Sequence, residues 1–375
     1  MNLALRLRRV FFAAGLALSL VPLLTHAAPD AVAPDAAAPT FRQGVNICHW
    51  LSQCFDRPFA GDWFTEKDVA WIAAQGFDHI RYPIDARLWL AADGSLDPAK
   101  LKPFENAIGW TRRHHLGMIL DVHFLPGADF NDGGDGRAFV DPVMQDKAVE
   151  IWRQIAKRFA AEPADLRFEI INEPVAPENA QLNVLNRRVL AAIRESNPTR
   201  TVYVTSNKWS IFATVGDLEV PADSNVAITV HFYEPVAFTH QNAPWVFAKT
   251  GVPAVRFPGK VPDLTAFVTP GSQLLQFNGR TLSVEQDIDA AFDGLAKWAQ
   301  EKAPGREILL GEFGVYKDAD PASMGNWMRA VLAACRRHHI NWTQWGYKSG
   351  EFGVVDWAGK PQPVLAVLKE EMQRR

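Results

Sequence analysis

Two glutamates stand out because together they could carry out acid–base and nucleophilic chemistry. Glu173 follows the segment Arg167-Phe168-Glu169-Ile170-Ile171-Asn172, and Glu312 follows Ile308-Leu309-Leu310-Gly311. Each glutamate ends a short apolar run typical of a buried strand, and Pro or Gly punctuation follows each run. Two carboxylates at the ends of buried parallel strands are suited to splitting a glycosidic bond. One protonates the leaving oxygen, and the other attacks or activates water.

Apolar segments that alternate with amphipathic segments must position these glutamates. Strands are predicted at residues 44–47, 78–83, 118–122, 166–171, 201–205, 227–231, 307–311 and 340–345. Helices are predicted at residues 65–75, 104–115, 143–159, 179–196, 287–302, 323–338 and 363–373. This alternation indicates βαβ units and a parallel sheet. Eight strands predict an α/β fold, a single (β/α)8 TIM barrel that forms one catalytic domain over residues 41–375, with Glu173 and Glu312 at the ends of strands 4 and 7.

Further polar and aromatic side chains lie at the same ends of the predicted strands. They are Arg81, His123, His231, Tyr233 and Trp345. A single His or Trp in an apolar strand is more often a core residue than a catalytic one. In a closed barrel, however, all these ends meet at the face that carries active sites. Glu169 lies roughly 13 Å below Glu173 on the same strand face, and we expect it to be an interior carboxylate paired with a cation or hydroxyl.

One connection, residues 232–286, is much longer than the others. It is rich in Pro, Gly and aromatic residues, and its aromatic content argues against disorder. As a loop after the sixth strand it lies on the catalytic face, where we expect it to form a wall of the substrate cleft. Trp245 in this loop is predicted to stack on a sugar ring; the alternative is that Trp245 only anchors the loop to the barrel.

The ordered set Asn172-Glu173-Pro174 and Gly311-Glu312-Phe313-Gly314 resembles glycoside hydrolase family 5, the former cellulase family A. The resemblance covers about residues 41–370 and implies that Glu173 is the acid/base and Glu312 the nucleophile. It also implies that Asn172 binds the 2-hydroxyl of the sugar at the cleaved bond. The remaining implied roles are organisation of the carboxylates and the sugar by Arg81, His123 and His231, a hydrogen bond from Tyr233 to the nucleophile, and a sugar platform at Trp345.

One position departs from the family pattern. Many members have two consecutive His residues after the third strand, where this chain has His123-Phe124, so only the first position carries over. Strands 4 and 7 lie across a narrow barrel mouth. This favours carboxyl groups about 5–5.5 Å apart and therefore a retaining mechanism.

The sequence thus predicts a retaining endo-β-glycosidase that needs no cofactor and no metal. Its polysaccharide or oligosaccharide substrate is expected to be a β-glucan, which would make it an endo-β-1,4-glucanase, or cellulase. Alternatives within the family are a β-mannanase, a β-1,3-glucanase or an exopolysaccharide hydrolase. A non-catalytic polysaccharide-binding barrel would require the loss of a catalytic residue. A metal-dependent hydrolase would require clustered His and Asp, and only His123 and His231 qualify.

The N-terminal segment predicts export. Arg6, Arg8 and Arg9 precede an apolar run, residues 10–24, that is short for a membrane span, and small residues follow it. We interpret residues 1–28 as a signal peptide, with a retained membrane anchor as the alternative. Residues 29–40 are predicted to be a disordered Ala/Pro-rich linker. The protein is therefore expected to be secreted or periplasmic, with no stable membrane association after cleavage.

Charge and cysteine content narrow the remaining possibilities. The net charge is −3 and no long basic run is present, so nucleic acid is an unexpected partner, and we expect a monomer. The three cysteines lack the spacing of a zinc site. Cys48 and Cys54 are predicted to form a disulfide in an oxidising compartment, leaving Cys335 unpaired. The alternative is three free, buried thiols.

Overall fold

Eight parallel strands close into a barrel in the computed structural model, which describes residues 41–53, 63–131 and 134–374. Each strand pairs with its neighbours in chain order, and the last pairs with the first. The strands are β1 Gln43–Asn46, β2 His79–Asp85, β3 Gly117–Phe124, β4 Leu166–Glu169, β5 Val202–Thr205, β6 Val226–Phe232, β7 Ile308–Phe313 and β8 Asn341–Gln344. The predicted (β/α)8 barrel is confirmed.

Seven longer helices in the described part of the chain surround these strands. They are α1 Glu66–Gln75, α2 Pro98–Arg113, α3 Pro142–Arg158, α4 Asn179–Arg194, α5 Ala290–Lys302, α6 Pro321–Arg337 and α7 Pro363–Gln373. An Asp-Pro pair starts three of them: Asp97, Asp141 and Asp320 each accept a backbone N–H of the first turn, and proline follows as the first helical residue. The Asp97 cap explains why α2 begins before the predicted residue 104.

Shorter elements fill the loops. One-turn helices span Arg137–Val140 and Val236–Thr239, a left-handed turn that includes Lys208 spans Asn207–Ser210, and 3₁₀ turns span Ala86–Trp89, Phe212–Asp217 and Gln273–Phe277. Residues Glu285–Asp289 form a π-helical turn before α5, and two-residue strands Gly259–Lys260 and Thr281–Leu282 pair antiparallel. Residues 232–286 therefore form the predicted long βα-loop, which carries only short elements of its own.

The two ends of the barrel interior differ in chemistry. Near the amino ends of the strands, a small apolar cluster closes the barrel: Phe41, Ile119, Tyr203, Ala227 and Leu309. The guanidinium of Arg167 lies over the Phe41 ring at 3.5 Å and hydrogen-bonds Glu307. Buried polar side chains take over toward the carboxyl ends of the strands. The interior is therefore sealed at one end and chemically equipped at the other.

Some predictions fall on residues outside the described ranges. The signal peptide (1–28) and the linker (29–40) lie there. So does Cys54, and its bridge to Cys48 stays a prediction. Cys48 and Cys335 are buried and carry no disulfide among the described residues. None of the helices in the described part of the chain combines the length and apolar character needed to span a bilayer.

Candidate active site

Apart from Trp245, the predicted site residues converge toward the carboxyl ends of the barrel strands, although Arg81 does not end its strand as predicted, because β2 continues to Asp85. Arg81, His123, His231 and Glu312 lie within β2, β3, β6 and β7, whereas Tyr233 and Trp345 directly follow β6 and β8. Strand β4 ends at Glu169, not at Ile171 as predicted. The N–H of Ile170 still donates to the Tyr203 carbonyl of β5 at 3.2 Å, and the Ile170 carbonyl accepts from the indole Nε1 of Trp152 at 2.9 Å. Glu173 therefore sits in the loop after β4, not on the strand itself.

Arg81 is the central cation of this site and is fully buried. Its Nε and Nη2 donate to the two carboxylate oxygens of Glu169, each at 2.8 Å, which confirms the predicted pairing of Glu169 with a cation. Its Nη1 donates to Oε1 of Glu312 at 2.7 Å, and its Nη2 lies 3.0 Å from Oδ2 of Asp121. Burial alone would lower the pKa of Arg81, but the three carboxylates outweigh it and raise this pKa, so Arg81 stays charged.

A hydrogen-bond chain fixes the amide of Asn172. Nη2 of Arg81 donates to Oδ1 of Asn172 at 2.8 Å, and Nδ2 of Asn172 lies 3.3 Å from Nε2 of His123. Nδ1 of His123 lies 2.7 Å from Asp121. Burial lowers the pKa of His123 to about 3, so the ring is neutral. Its Nδ1–H then donates to Asp121 and its Nε2 accepts from Asn172, a tautomer assigned from the hydrogen-bond pattern.

Glu173 and Glu312 face each other across His231. Nδ1 of His231 lies 2.8 Å from Oε1 of Glu173 and 3.7 Å from Oε2 of Glu312. One carboxylate oxygen from each glutamate and one His231 ring nitrogen all lie within 4.8 Å of one another. The hydroxyl of Tyr233 donates to Oε2 of Glu312 at 3.0 Å. The two carboxyl groups are thus close enough to act on one bond.

The two glutamates differ in their electrostatic surroundings. Burial, and then the negative charge of Glu312, raise the pKa of Glu173 well above its ordinary value. Burial also raises the pKa of Glu312, but the positive charge of Arg81 opposes that rise. Burial lowers the pKa of His231 well below its usual range, so this ring is neutral. A single proton on the pair therefore resides on Glu173, and Glu312 carries the negative charge.

Aromatic rings line the site beside the carboxylates. Trp345 stacks on His123 with ring centroids 5.6 Å apart and an interplanar angle of 3°. Phe352 contacts Tyr233 at 6.0 Å. Trp245 does not join the central group: it lies in the loop after β6, where its ring contacts Tyr316 at 5.5 Å and the indole is 55% exposed.

The fold and this arrangement agree with the comparison to known proteins. The family described as Cellulase (glycosyl hydrolase family 5) matches residues 38–351. The chain belongs to glycosyl hydrolase family 5. It is 31% identical over 333 residues to Endoglucanase C of Acetivibrio thermocellus, covering 86% of this chain and 95% of that protein. It is 27% identical to Cellodextrinase A of Ruminococcus flavefaciens, covering 80% of this chain and 83% of that protein.

Solved structures of family-5 enzymes resemble the barrel as a whole. An endoglucanase structure superposes with a TM-score of 0.70 at 28% identity, covering 88% of this chain and 97% of that one. A hyperthermophilic endo-β-1,4-glucanase in complex with substrate also gives a TM-score of 0.70, at 27% identity and 88% and 96% coverage. A retaining mechanism is typical of family 5, and this chain is a glycoside hydrolase acting on O-glycosyl bonds.

Together, Glu173, Glu312 and His231 form the one group of three potential metal ligands found among the described residues. The spacing of Nδ1 of His231 from Oε1 of Glu173, 2.8 Å, is that of a hydrogen bond that carries a proton between them. A cation would have to displace that proton. Arg81 already supplies a positive charge beside Glu312. These contacts suit a proton-transfer site better than a metal centre.

Two residues of this site, Asp121 and Asn46, were not predicted from the sequence. Asp121 bonds both Arg81 and His123, and Asn46 accepts from Nη1 of Arg81 at 2.9 Å. Asp121 could have been found, because a carboxylate two residues before His123 on an apolar strand shares its face. Asn46 gave no signal of its own, since its role depends on β1 closing the barrel beside β8.

Proposed function

We propose that this family-5 protein is a retaining endo-β-1,4-glucanase, with Glu173 as acid/base and Glu312 as nucleophile. The observation that carries the proposal is the pair of facing carboxylates within 4.8 Å, one of them held by Arg81 and Tyr233. The approach of one oxygen from each glutamate suits the short separation of retaining enzymes, which is about 5–5.5 Å. The β-1,4-glucan substrate is supported by the names of the relatives, which include endoglucanases and a cellodextrinase.

In the first step, the ionised Glu312 attacks the anomeric carbon while Glu173 gives its proton to the leaving oxygen. The glycosidic bond breaks, and a covalent glycosyl-enzyme forms on Glu312. Loss of the negative charge of Glu312 removes the repulsion that held the proton on Glu173, so its pKa falls. Glu173 can then take a proton from water, and the resulting hydroxide attacks the same carbon from the vacated side and releases the sugar with its original configuration.

The surrounding residues orient these two groups. Arg81 and Tyr233 hold both oxygens of Glu312, and His231 holds one oxygen of Glu173. The Asn172 amide is fixed by Arg81 and His123 and has a second N–H to offer the 2-hydroxyl of the sugar at the cleaved bond. Trp345 supplies an apolar ring beside that sugar.

We further propose that the protein acts outside the cytoplasm, as secreted or periplasmic enzymes do. The apolar N-terminal run and its small-residue boundary support this proposal. N-terminal sequencing of the protein recovered from its producing cells tests it. A mature chain that begins near Ala28 is expected, whereas a chain that still begins at Met1 in the membrane fraction would indicate a retained anchor.

One assay tests the enzymatic proposal directly. Purified protein is incubated with soluble cellulose derivatives, mixed-linkage β-glucan, β-1,3-glucan and β-mannan, and reducing ends and product sizes are followed. We expect mid-chain cleavage of β-1,4-glucan and first-formed products in the β configuration by proton NMR. Preferred release from mannan or β-1,3-glucan would reassign the substrate, and α products would exclude retention.

A further inference from the structure

Strand β7 carries a bulge one residue before the nucleophile. In the pairing of β6 with β7, Gly311 is skipped. Val230 pairs with Leu310, and the next pair is His231 with Glu312. A bulge of this kind bends its strand and re-aims the side chain that follows, and bulges are frequent next to active sites. The side chain that follows here is the nucleophile, so the surroundings of Gly311 bear on catalysis.

The bulged residue is a glycine because two side chains of β6 approach it closely. The φ of Gly311 is not positive, so its backbone conformation does not require glycine. A Cβ at Gly311 would lie 2.5 Å from Oγ1 of Thr229 and 3.3 Å from Nε2 of His231. The first distance is an overlap and the second a tight contact, so a larger residue would displace both side chains. The missing Cβ therefore leaves a space that Thr229 and His231 share.

The two atoms that face this space are buried and polar. Thr229 is fully buried and His231 is 1% exposed, yet Oγ1 of Thr229 and Nε2 of His231 have no hydrogen-bond partner among the described residues. Leaving a buried polar atom unpaired is costly, and almost all such atoms bond protein or an ordered water. A hydroxyl can donate, and one nitrogen of a neutral imidazole accepts. The two atoms are within reach of a direct hydrogen bond or of one shared water.

The other ring nitrogen of His231 contacts the acid/base, since Nδ1 lies 2.8 Å from Oε1 of Glu173. Resting on the proposed glycosidase function, we propose that Thr229 is a positioning residue whose hydroxyl donates, directly or through one water, to Nε2 of His231 and so keeps the ring proton on Nδ1. The Nδ1–H then donates to Glu173, which favours the ionised form of that carboxyl. Ionised Glu173 is the base that activates water on the glycosyl-enzyme, so Thr229 serves the second step.

Other charged or titratable groups face His231 and Glu173 from the neighbouring strands. They are Arg81 on β2, Asp121 and His123 on β3, Tyr233 after β6 and Glu312 on β7. The donors in this set are engaged elsewhere: the guanidinium bonds carboxylates and amide oxygens, the Tyr233 hydroxyl bonds Glu312, and Nδ1 of His123 bonds Asp121. These contacts do not involve Thr229, so its hydroxyl remains as the donor for Nε2.

The test removes the hydroxyl and follows the second step. Thr229→Val keeps the shape of the side chain, and a dinitrophenyl β-cellobioside loses its leaving group without a proton, so kcat reports hydrolysis of the glycosyl-enzyme. We expect kcat and KM to fall together by roughly three- to tenfold, with kcat/KM unchanged at a pH below the basic limb. Azide attacks the glycosyl-enzyme without help from a base and should restore kcat. On cellopentaose, the basic limb of kcat/KM should move to higher pH, because Glu173 loses the donor that favours its ionised form.

Two comparison variants and one spectrum separate this role from a structural one. Thr229→Ser keeps the hydroxyl and should match the wild type in kcat and in pH profile. Thr111→Val removes a buried threonine hydroxyl on α2, away from the site, and should change neither. In protein with isotope-labelled histidine, nitrogen NMR signals of His231 are assigned by their loss in His231→Asn. They should show a proton on Nδ1 in the wild type and at least partly on Nε2 in Thr229→Val.

Three results would overturn the role of Thr229. They are a wild-type His231 protonated on Nε2, a kcat/KM of Thr229→Val that falls as much as its kcat, and a Thr229→Ser variant that behaves as Thr229→Val does. The wild-type spectrum needs no substrate, so it tests the proposal even if Thr229→Val does not fold. Failure of the glucanase proposal would show separately, as a wild type that hydrolyses neither the cellobioside nor cellopentaose.

Discussion

Nη1 of Arg81 donates to Oε1 of Glu312 across 2.7 Å, and this one contact sets the two glutamates apart. The two carboxyl groups face each other, with 14% of the Glu173 side chain and 5% of the Glu312 side chain exposed, and burial alone would favour protonation of both. The guanidinium favours the ionised form of Glu312 and leaves the proton to Glu173. The division of roles between two chemically identical side chains thus follows from which of them reaches the buried cation.

The first prediction assigns these roles by chemical rescue. Glu312→Ala should abolish turnover, and Glu173→Ala should lower it by about 10²–10⁴-fold on substrates that need protonation. Azide added to Glu173→Ala should restore hydrolysis of activated substrates and give a β-glycosyl azide with retained configuration. Azide added to Glu312→Ala can only replace the lost nucleophile and give the opposite anomer. The reverse pattern, read by NMR of the azide products, would mean that the roles are exchanged.

The second prediction concerns the pH dependence of kcat/KM. Activity requires ionised Glu312 and protonated Glu173, so a bell-shaped profile is expected. Because burial and Glu312 raise the pKa of Glu173, activity should persist above the ordinary carboxyl range and fall as pH rises through that pKa. In Glu173→Ala, a dinitrophenyl glycoside, which needs no protonation, should lose this basic limb and keep the acidic one. A basic limb that survives the substitution would assign it to another group.

The third prediction isolates the hydrogen bond from Tyr233 to the nucleophile. Tyr233→Phe removes a donor 3.0 Å from Oε2 of Glu312. A hydrogen bond to a charged group contributes about 1.5–3 kcal/mol, so kcat/KM should fall roughly 10–100-fold with little change in melting temperature. Tyr82→Phe is the matched control, since that buried hydroxyl bonds Thr111 away from the site. It should lower stability and leave kcat/KM unchanged; similar kinetics in both variants would contradict the assignment.

The fourth prediction concerns how Glu169 affects stability. Burial raises the pKa of Glu169 to about 7 from an ordinary 4.5, although Arg81 opposes the shift. A carboxyl with a raised folded-state pKa contributes stability below its unfolded pKa and loses it as pH rises through the folded value. The uncharged glutamine of Glu169→Gln lacks this dependence. Between pH ~4.5 and ~7, the free energy of unfolding of the wild type should therefore fall by up to about 3 kcal/mol relative to that of the variant.

Urea unfolding of both proteins across this pH range measures the effect of Glu169. The comparison cancels titrating groups that lie away from Arg81. Asp121, whose pKa burial raises to about 7, also raises the pKa of Glu169, so part of the measured pH dependence belongs to this pair of carboxyls. Glu169→Gln also loses one of the two hydrogen bonds from Arg81, which lowers its free energy of unfolding by a constant amount relative to the wild type. A difference that does not vary with pH would show that Arg81 keeps Glu169 ionised in the folded protein throughout.

The sequence predicted the barrel well because its strands are short apolar runs separated by amphipathic helices, a pattern that local composition reveals. It placed Glu173 at the end of a strand, yet β4 ends at Glu169, and the indole of Trp152 on α3 bonds the carbonyl of the next residue, Ile170. It also could not foresee the left-handed turn at Lys208, because no glycine marks that position. Both features depend on hydrogen bonds between distant segments, which leave no periodic signal in the chain.

The last prediction concerns Trp245 in the long loop after β6. Its ring edge packs on Tyr316 and on His240, and His240 in turn contacts Tyr233, which bonds Glu312. The indole remains 55% exposed, which is more than an anchor of the loop requires. Trp245→Ala should therefore lower kcat/KM about tenfold for long oligosaccharides and by a smaller factor for short aryl glycosides.

An anchoring Trp245 would behave differently, and thermal unfolding of the same variant distinguishes the two roles. Loss of an anchor would loosen the loop against Tyr316 and lower the melting temperature, while long and short substrates would be cleaved in the wild-type ratio. Tyr316→Phe serves as the control, because it keeps the ring that Trp245 packs against and removes only a hydroxyl.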